Sequence, residues 1–278
     1  MVFDIRTRTG AVMPNLGLGT WRMGENDASR KEEVSALKLG LDLGLRLIDT
    51  AEMYGEGGAE EVVAAAIEGR REDVFLVSKV YPHNASYEGT LAACERSLRR
   101  LGVDTIDLYL LHWPGEHPLE ETLRGFSALV AQGKIRHYGL SNFDLDELQR
   151  AETLAGGAKV AANQVLYNLE RRGIERTLIP WCAAKHVAIM AYSPFEQGRL
   201  RTYDGLRRVA QRHDATPIQV ALAWTLRHDN VVSIPKATRT AHVLMNAKAV
   251  DIVLTEEDLA DIDRSYAPPR RDVPLETL

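Results

Sequence analysis

SRKEEVSALKLGLDLGLRLIDT, residues 29–50, holds one full repeat of the pattern that decides this fold. Its first part, SRKEEVSALKLGLDLG, is amphipathic with a helical period; Ser29 stands where an N-cap belongs and Gly44 where a helix stops. Its second part, LRLIDT, is a short apolar run that ends abruptly on polar residues, as a strand covered on both faces does. The same alternation extends in both directions. Strand candidates begin at 16 (LGLGT), 45 (LRLIDT), 74 (VFLVSK), 105 (TIDLYLLHW), 135 (IRHYGLSN), 160 (VAANQV), 187 (VAIMAYS) and 231 (VVSIPK). Helical periods fill the intervals, with helices expected over 84–100, over 119–132 (Gly133 following as a stop), over 203–213 and over 255–266. A hairpin is expected over 5–13, turning at Thr9-Gly10.

Strand–helix alternation implies parallel strands joined by crossover helices. Eight such units in 278 residues, with no linker or low-complexity stretch between them, favour an α/β fold of the (β/α)8 barrel type. One domain is expected over 1–278, with extra helices near the C-terminal end. An open doubly wound sheet is the structural rival, because alternation alone does not show closure. The net charge of −5 and the lack of any Lys/Arg-dense block give no reason to expect nucleic acid or an anionic membrane as partner. MVFDIRTRTG has no apolar core of a signal peptide and no run approaches 18 apolar residues, so the chain reads as cytoplasmic. Cys94 and Cys182 fall inside helical periods and read as unpaired thiols.

The polar residues at the strand ends carry the chemistry. Gly19, Asp49, Lys79, His112, Ser141, Gln164, Tyr192 and Lys236 each stand where an apolar run stops. In a parallel barrel every strand C-terminus opens on one face, and active sites sit there. Asp49, Lys79 and His112 are therefore expected on one rim, each followed within five residues by an aromatic: Tyr54, Tyr81 and Trp113. Polar strand ends that simply meet water explain the polarity. They do not explain an acid, an amine and an imidazole on three adjacent strands. A metal-dependent hydrolase is disfavoured, since the eight histidines form neither H-x-H nor H-E-x-x-H.

LIDTAEMYGEGG, LVSK, LYLLHWP, GLSN, NQVLYN, AYSP and SIPKAT occur in an order and spacing that resemble the aldo-keto reductases, over about 17–263, with details most similar to bacterial methylglyoxal reductases. The resemblance implies a barrel that binds extended NADPH without a Rossmann domain, and no G-x-G-x-x-G follows a strand here. It implies that Tyr54 is the general acid and that His112 orients the substrate oxygen. Lys79 is expected to lower the Tyr54 pKa, and Asp49 to hold Lys79 charged. It places Ser141, Asn142 and Gln164 on the nicotinamide amide and Tyr192 against the ring. Ser193, Phe195 and Gln197 would lie over the pyrophosphate, and Gly19, Thr20 and Trp21 would flank the site. At the adenosine end it implies Lys236, with Thr238, Arg239 and Asn246, on the 2′-phosphate. Two positions depart from the family: His242 stands where many members carry arginine, and Met245 where many carry an acid. Histidine is largely neutral near pH 7 and lacks the guanidinium fork, so NADPH is expected over NADH with reduced discrimination and weaker use of NADH.

Trp21, Met53, Tyr81 and Trp113 are expected to wall the substrate pocket. Aromatic walls around few polar groups suit small aldehydes, α-dicarbonyls and aromatic aldehydes. The short connection after Trp113 (PGEHP) implies an open pocket, and the tail PPRRDVPLETL reads equally as disordered or as a cover over the mouth. A small carbonyl compound is the expected partner and a monomer the expected state. The rival of a different class is a nucleotide-sensing binding subunit on the same barrel with slow turnover.

Overall fold

The computed structural model describes residues 3–278, so the expected span 1–278 begins two residues outside the described part. Strands β1 (Asp4–Arg6) and β2 (Val12–Pro14) form the antiparallel hairpin, with Ile5 opposite Met13 and Gly10 at φ 84° in the turn. Eight further strands follow: β3 (Gly17–Gly19), β4 (Leu47–Asp49), β5 (Phe75–Val80), β6 (Ile106–Leu111), β7 (Ile135–Ser141), β8 (Val160–Leu166), β9 (Ala188–Tyr192) and β10 (Val231–Ser233). They pair in parallel, each with its neighbours in chain order. The last strand returns to the first. Ser233 N–H donates to Asn15 O at 2.8 Å and Gly19 N–H to Pro235 O at 3.1 Å, and Gly19 bridges Lys236 in the parallel sense. That closure makes the sheet a (β/α)8 barrel and removes the open sheet from consideration.

Ten helices accompany the strands: α1 (Arg30–Asp42), α2 (Gly58–Ile67), α3 (Tyr87–Leu101), α4 (Leu119–Ala131), α5 (Leu145–Thr153), α6 (Leu178–Ala184), α7 (Asp204–Arg212), α8 (Pro217–Thr225), α9 (Thr240–Lys248) and α10 (Glu256–Ser265). Helix α7 is an addition between β9 and the crossover helix α8, and α10 packs on it. Gly44 ends α1 at φ 85°, with Leu45 N–H donating to Gly40 O and Gly44 N–H to Leu41 O. Ser29 occupies the N-cap position of α1 but does not cap it. Its hydroxyl donates back to Asn26 O, and Glu32 and Glu33 supply the negative charge of the first turn. The helix expected from residue 84 begins only at Tyr87, because Pro82–Asn84 forms a separate 3-10 turn and Ser86 is the cap, accepting from Gly89 N–H. Cys94 and Cys182 are buried and unpaired. Among the described residues no helix is long and apolar enough to cross a membrane.

The two-residue period of the strands sorts their side chains into two sets. Leu18, Ile48, Leu76, Tyr109, Leu140, Val165 and Ile189 pack outward among the helices. Leu47, Val77, Leu108, Leu110, Ala162, Met190 and Val232 form the barrel interior, joined by Ile5, Ala11 and Met13 of the hairpin, which plug its N-terminal end. Counting on in steps of two from the interior set reaches Asp49, Lys79, His112, Gln164, Tyr192 and Lys236. One parity rule thus fills the barrel with hydrocarbon below and aims the polar strand ends into a single opening above.

Candidate active site

Asp49 and Lys79 form a buried ion pair on adjacent strands, Nζ to Oδ2 2.8 Å, with exposures of 3% and 0%. The same ammonium donates to Thr50 O at 2.8 Å and lies 3.3 Å from the Tyr54 hydroxyl. Tyr54 is brought back over the pair by a sharp turn after β4. Gly55, Glu56 and Gly57 all have positive φ, and a Cβ at Gly57 would come within 2.5 Å of the Arg100 side chain. The motif MYGEGG is therefore a steric requirement of the Tyr54 position. The His112 ring, just past the end of β6, meets the Tyr54 ring edge-on at 5.6 Å, and its Nδ1 is buried without a hydrogen-bond partner.

The ionisation of this group departs from expectation in one respect. Burial raises the Tyr54 pKa, and the lowering by Lys79 does not overcome it, partly because Asp49 pushes the phenol up as well. An ammonium already neutralised by a carboxylate at 2.8 Å cannot offset the loss of water around a phenolate. Tyr54 is thus held protonated, as a donor. Burial by itself lowers Lys79, yet Asp49 and Tyr54 beside it leave its pKa raised. Burial, then the charge on Lys79, holds the His112 pKa well below its ordinary value, so the imidazole is neutral.

A cavity of about 760 Å³ opens above the barrel. Asp49, Tyr54 and His112 line one part of it together with Trp21, Met53 and Trp113. Gly19, Thr20, Ser141, Asn142, Gln164, Tyr192, Ser193, Phe195 and Gln197 also line it, as do Lys236, His242, Met245 and Asn246. Four expected residues lie off the lining, the first being Lys79, which is fully buried. Tyr81 stands behind Trp113, ring centroids 5.0 Å apart and edge-on, and so braces the wall. Thr238 and Arg239 lead into α9, with Arg239 at its N-cap position, while His242, Met245 and Asn246 face the cavity from one side of that helix. Lys236 lies three residues past β10 but is held beside Gly19 by the closing bridge.

The amide side chains of the lining are tied to the catalytic group. Gln164 Nε2 donates to Asp49 Oδ1 at 2.8 Å, so its amide carbonyl is free to turn outward. Asn142, at φ 60°, donates to His112 O at 3.2 Å and accepts from Tyr192 O–H at 3.0 Å. Asn168 secures the loop after β9, donating to Ser193 O at 2.9 Å and to the Glu196 carboxylate at 2.8 Å; Arg171 pairs with that carboxylate at 2.8 Å. Sequence reasoning missed these two supports, although Asn168 closes the quoted NQVLYN. It also missed Arg22, Ile234 and Leu278 on the lining. The strand period signals Ile234, two before Lys236, whereas Leu278 carries no sequence signal. The tail is ordered against the segment after β8 and ends with Leu278 on the cavity lining: Asp272 pairs with Arg176 at 2.9 Å, Glu276 with Arg171 at 2.7 Å, and Val273 fills the space a side chain at Gly173 would need.

Comparison with known proteins agrees with this geometry. The family model for the aldo/keto reductase family matches residues 15–267. The chain is 49% identical to methylglyoxal reductase YeaE of Escherichia coli, over 95% of each chain, and 36% identical to a glyoxal reductase of Bacillus subtilis, over 93% of this chain and 91% of that one. A crystal structure of an aldo-keto reductase from Klebsiella pneumoniae in complex with NADPH superposes with a TM-score of 0.96 at 49% identity, covering all of both chains. With a closed eight-stranded barrel, a polar opening at the strand C-termini and a match over nearly its whole length, the chain belongs to the aldo/keto reductase family of oxidoreductases.

Proposed function

We propose that this protein reduces small aldehydes and α-dicarbonyls, of the methylglyoxal and aromatic aldehyde kind, to alcohols at the expense of NADPH, with Tyr54 as the general acid. The observation that carries this reading is the buried Asp49–Lys79–Tyr54 line ending beside His112 on the cavity. The residues present fit an extended nicotinamide dinucleotide. Amide and hydroxyl groups of Ser141, Asn142 and Gln164 gather at the catalytic end, and Lys236 has no acidic partner among the described residues. When bound, the cofactor supplies hydride to the carbonyl carbon.

The chain's own residues do the rest. Trp21, Met53 and Trp113 exclude water around the carbonyl and strengthen every electrostatic interaction there. Neutral His112 holds the carbonyl oxygen by hydrogen bonding without adding a second cation beside Lys79. As negative charge develops on that oxygen, the Tyr54 O–H transfers its proton to it. Lys79, 3.3 Å away, then faces the phenolate, and its paired charge favours that state more than the neutral phenol. Solvent returns the proton to Tyr54 after the alcohol leaves. The substrate thereby exchanges its C=O π bond for one C–H and one O–H bond, taking up one hydride and one proton.

Following NADPH absorbance with methylglyoxal and 4-nitrobenzaldehyde tests the reading. Turnover that chelators leave unchanged is expected. NADPH binding with no turnover on either aldehyde would transfer the protein to the nucleotide-sensing class.

A further inference from the structure

The turn after β3 carries a residue that the reduction of neutral aldehydes does not require. Residues Thr20 to Met23 form a tight turn closed by Met23 N–H donating to Thr20 O at 2.9 Å. Arg22 occupies its third position at φ 63°, a left-handed conformation that glycine or asparagine adopts with least strain. A long cationic side chain in that place points to use of the side chain rather than of the turn. The guanidinium lies 4.6 Å from the centre of the Trp21 ring, which holds it against the cavity wall. Both residues line the cavity.

Arg22 is also electrically uncompensated. Among the described residues no carboxylate pairs with it, although most of the arginines in this chain have an acidic partner. Among the described residues Asp49 is the one acidic side chain on the cavity lining, and it is already neutralised by Lys79. The turn that carries Arg22 is anchored beside the catalytic group. Thr20 N–H and hydroxyl both donate to Asp49 O, at 3.1 and 3.0 Å, and Gly24 packs against Gly55 and Gly58, next to Met53 and Tyr54.

We infer that Arg22 is a specificity residue that selects carbonyl substrates bearing an anionic group, such as oxo acids and carboxylated aldehydes. This rests on the reductase reading above. The carboxylate accepts from the guanidinium at the mouth while the carbonyl reaches Tyr54 and His112 inside. Arginine suits this task because its fork meets both carboxylate oxygens and stays charged at every working pH.

The test pairs 4-carboxybenzaldehyde with its neutral methyl ester, using NADPH and the full chain. Arg22→Gln is expected to lower kcat/KM for the carboxylate by about tenfold, through KM, the effect of losing one charge-assisted contact, while the ester changes by less than about twofold. Arg22→Lys should recover part of the loss, and added salt should narrow the carboxylate-to-ester ratio of the wild type. Equal losses on both substrates would overturn the inference. So would an NADPH Kd, from fluorescence titration, weakened by the same factor, because the cation would then serve the cofactor. If the wild type reduces neither compound, it is the reductase reading that fails, and this inference with it.

Discussion

The two ends of the cavity are built on opposite principles. At the catalytic end Asp49, Lys79 and Tyr54 are buried, hydrogen-bonded to one another and held by strand ends and by a turn that permits no other path. At the far end Lys236, Arg239 and His242 are exposed, carry no acidic partners and sit on a short loop and the first turns of α9. The first arrangement resembles a preorganised dipole, costly to build and insensitive to salt. In the second, Lys236 and Arg239 are solvated cations whose attraction to phosphate is screened and adjustable. Chemistry demands fixed distances, whereas cofactor choice demands only a charge difference, so the protein spends its core on one and its surface on the other.

Substitution at the two ends should therefore differ in kind. Tyr54→Phe removes the proton donor and is expected to reduce turnover by about 10²- to 10⁴-fold, the range for loss of general acid catalysis, with NADPH Kd in a binding titration unchanged within about twofold. Retained turnover would break the contrast at its strongest point. Lys79→Ala leaves the Asp49 carboxylate buried without its cation, and denaturant titration should show destabilisation of about 3–5 kcal/mol. A fully stable Lys79→Ala protein would mean that the pair is not the rigid element described. Lys236→Ala should weaken NADPH by roughly tenfold while leaving NADH nearly unaffected and the melting temperature unchanged, since the side chain is solvated. His242→Arg supplies the guanidinium fork and should tighten NADPH by only about two- to fivefold, because the site is exposed.

The pH profile sharpens the same comparison. Tyr54 is raised above its ordinary value of 10, so it is protonated and competent throughout the neutral range; activity should fall only as pH rises through that raised value. His112 is lowered well below 6.5 and is therefore already neutral at neutral pH. Measured kcat/KM should thus be flat between about pH 6 and 9, with no limb near the ordinary histidine value. A limb there would contradict the neutral imidazole of His112.

The sequence by itself determined the strand–helix rhythm and, through it, a parallel α/β sheet, with the barrel favoured over an open sheet. Apolar runs of two-residue period stop at Asp49, Lys79, His112, Gln164 and Tyr192, and parity alone puts them on the interior side. Tertiary structure alone decided what depends on neighbours remote in the chain. It decided closure, through hydrogen bonds between residues 15 and 233 and between 19 and 235. It placed Tyr81 behind Trp113 rather than on the cavity, and brought the tail down through Arg171 and Arg176. It also settled the direction of the Tyr54 shift. The sign of a pKa change is a contest between lost water and nearby charge, and both quantities exist only once the chain has folded.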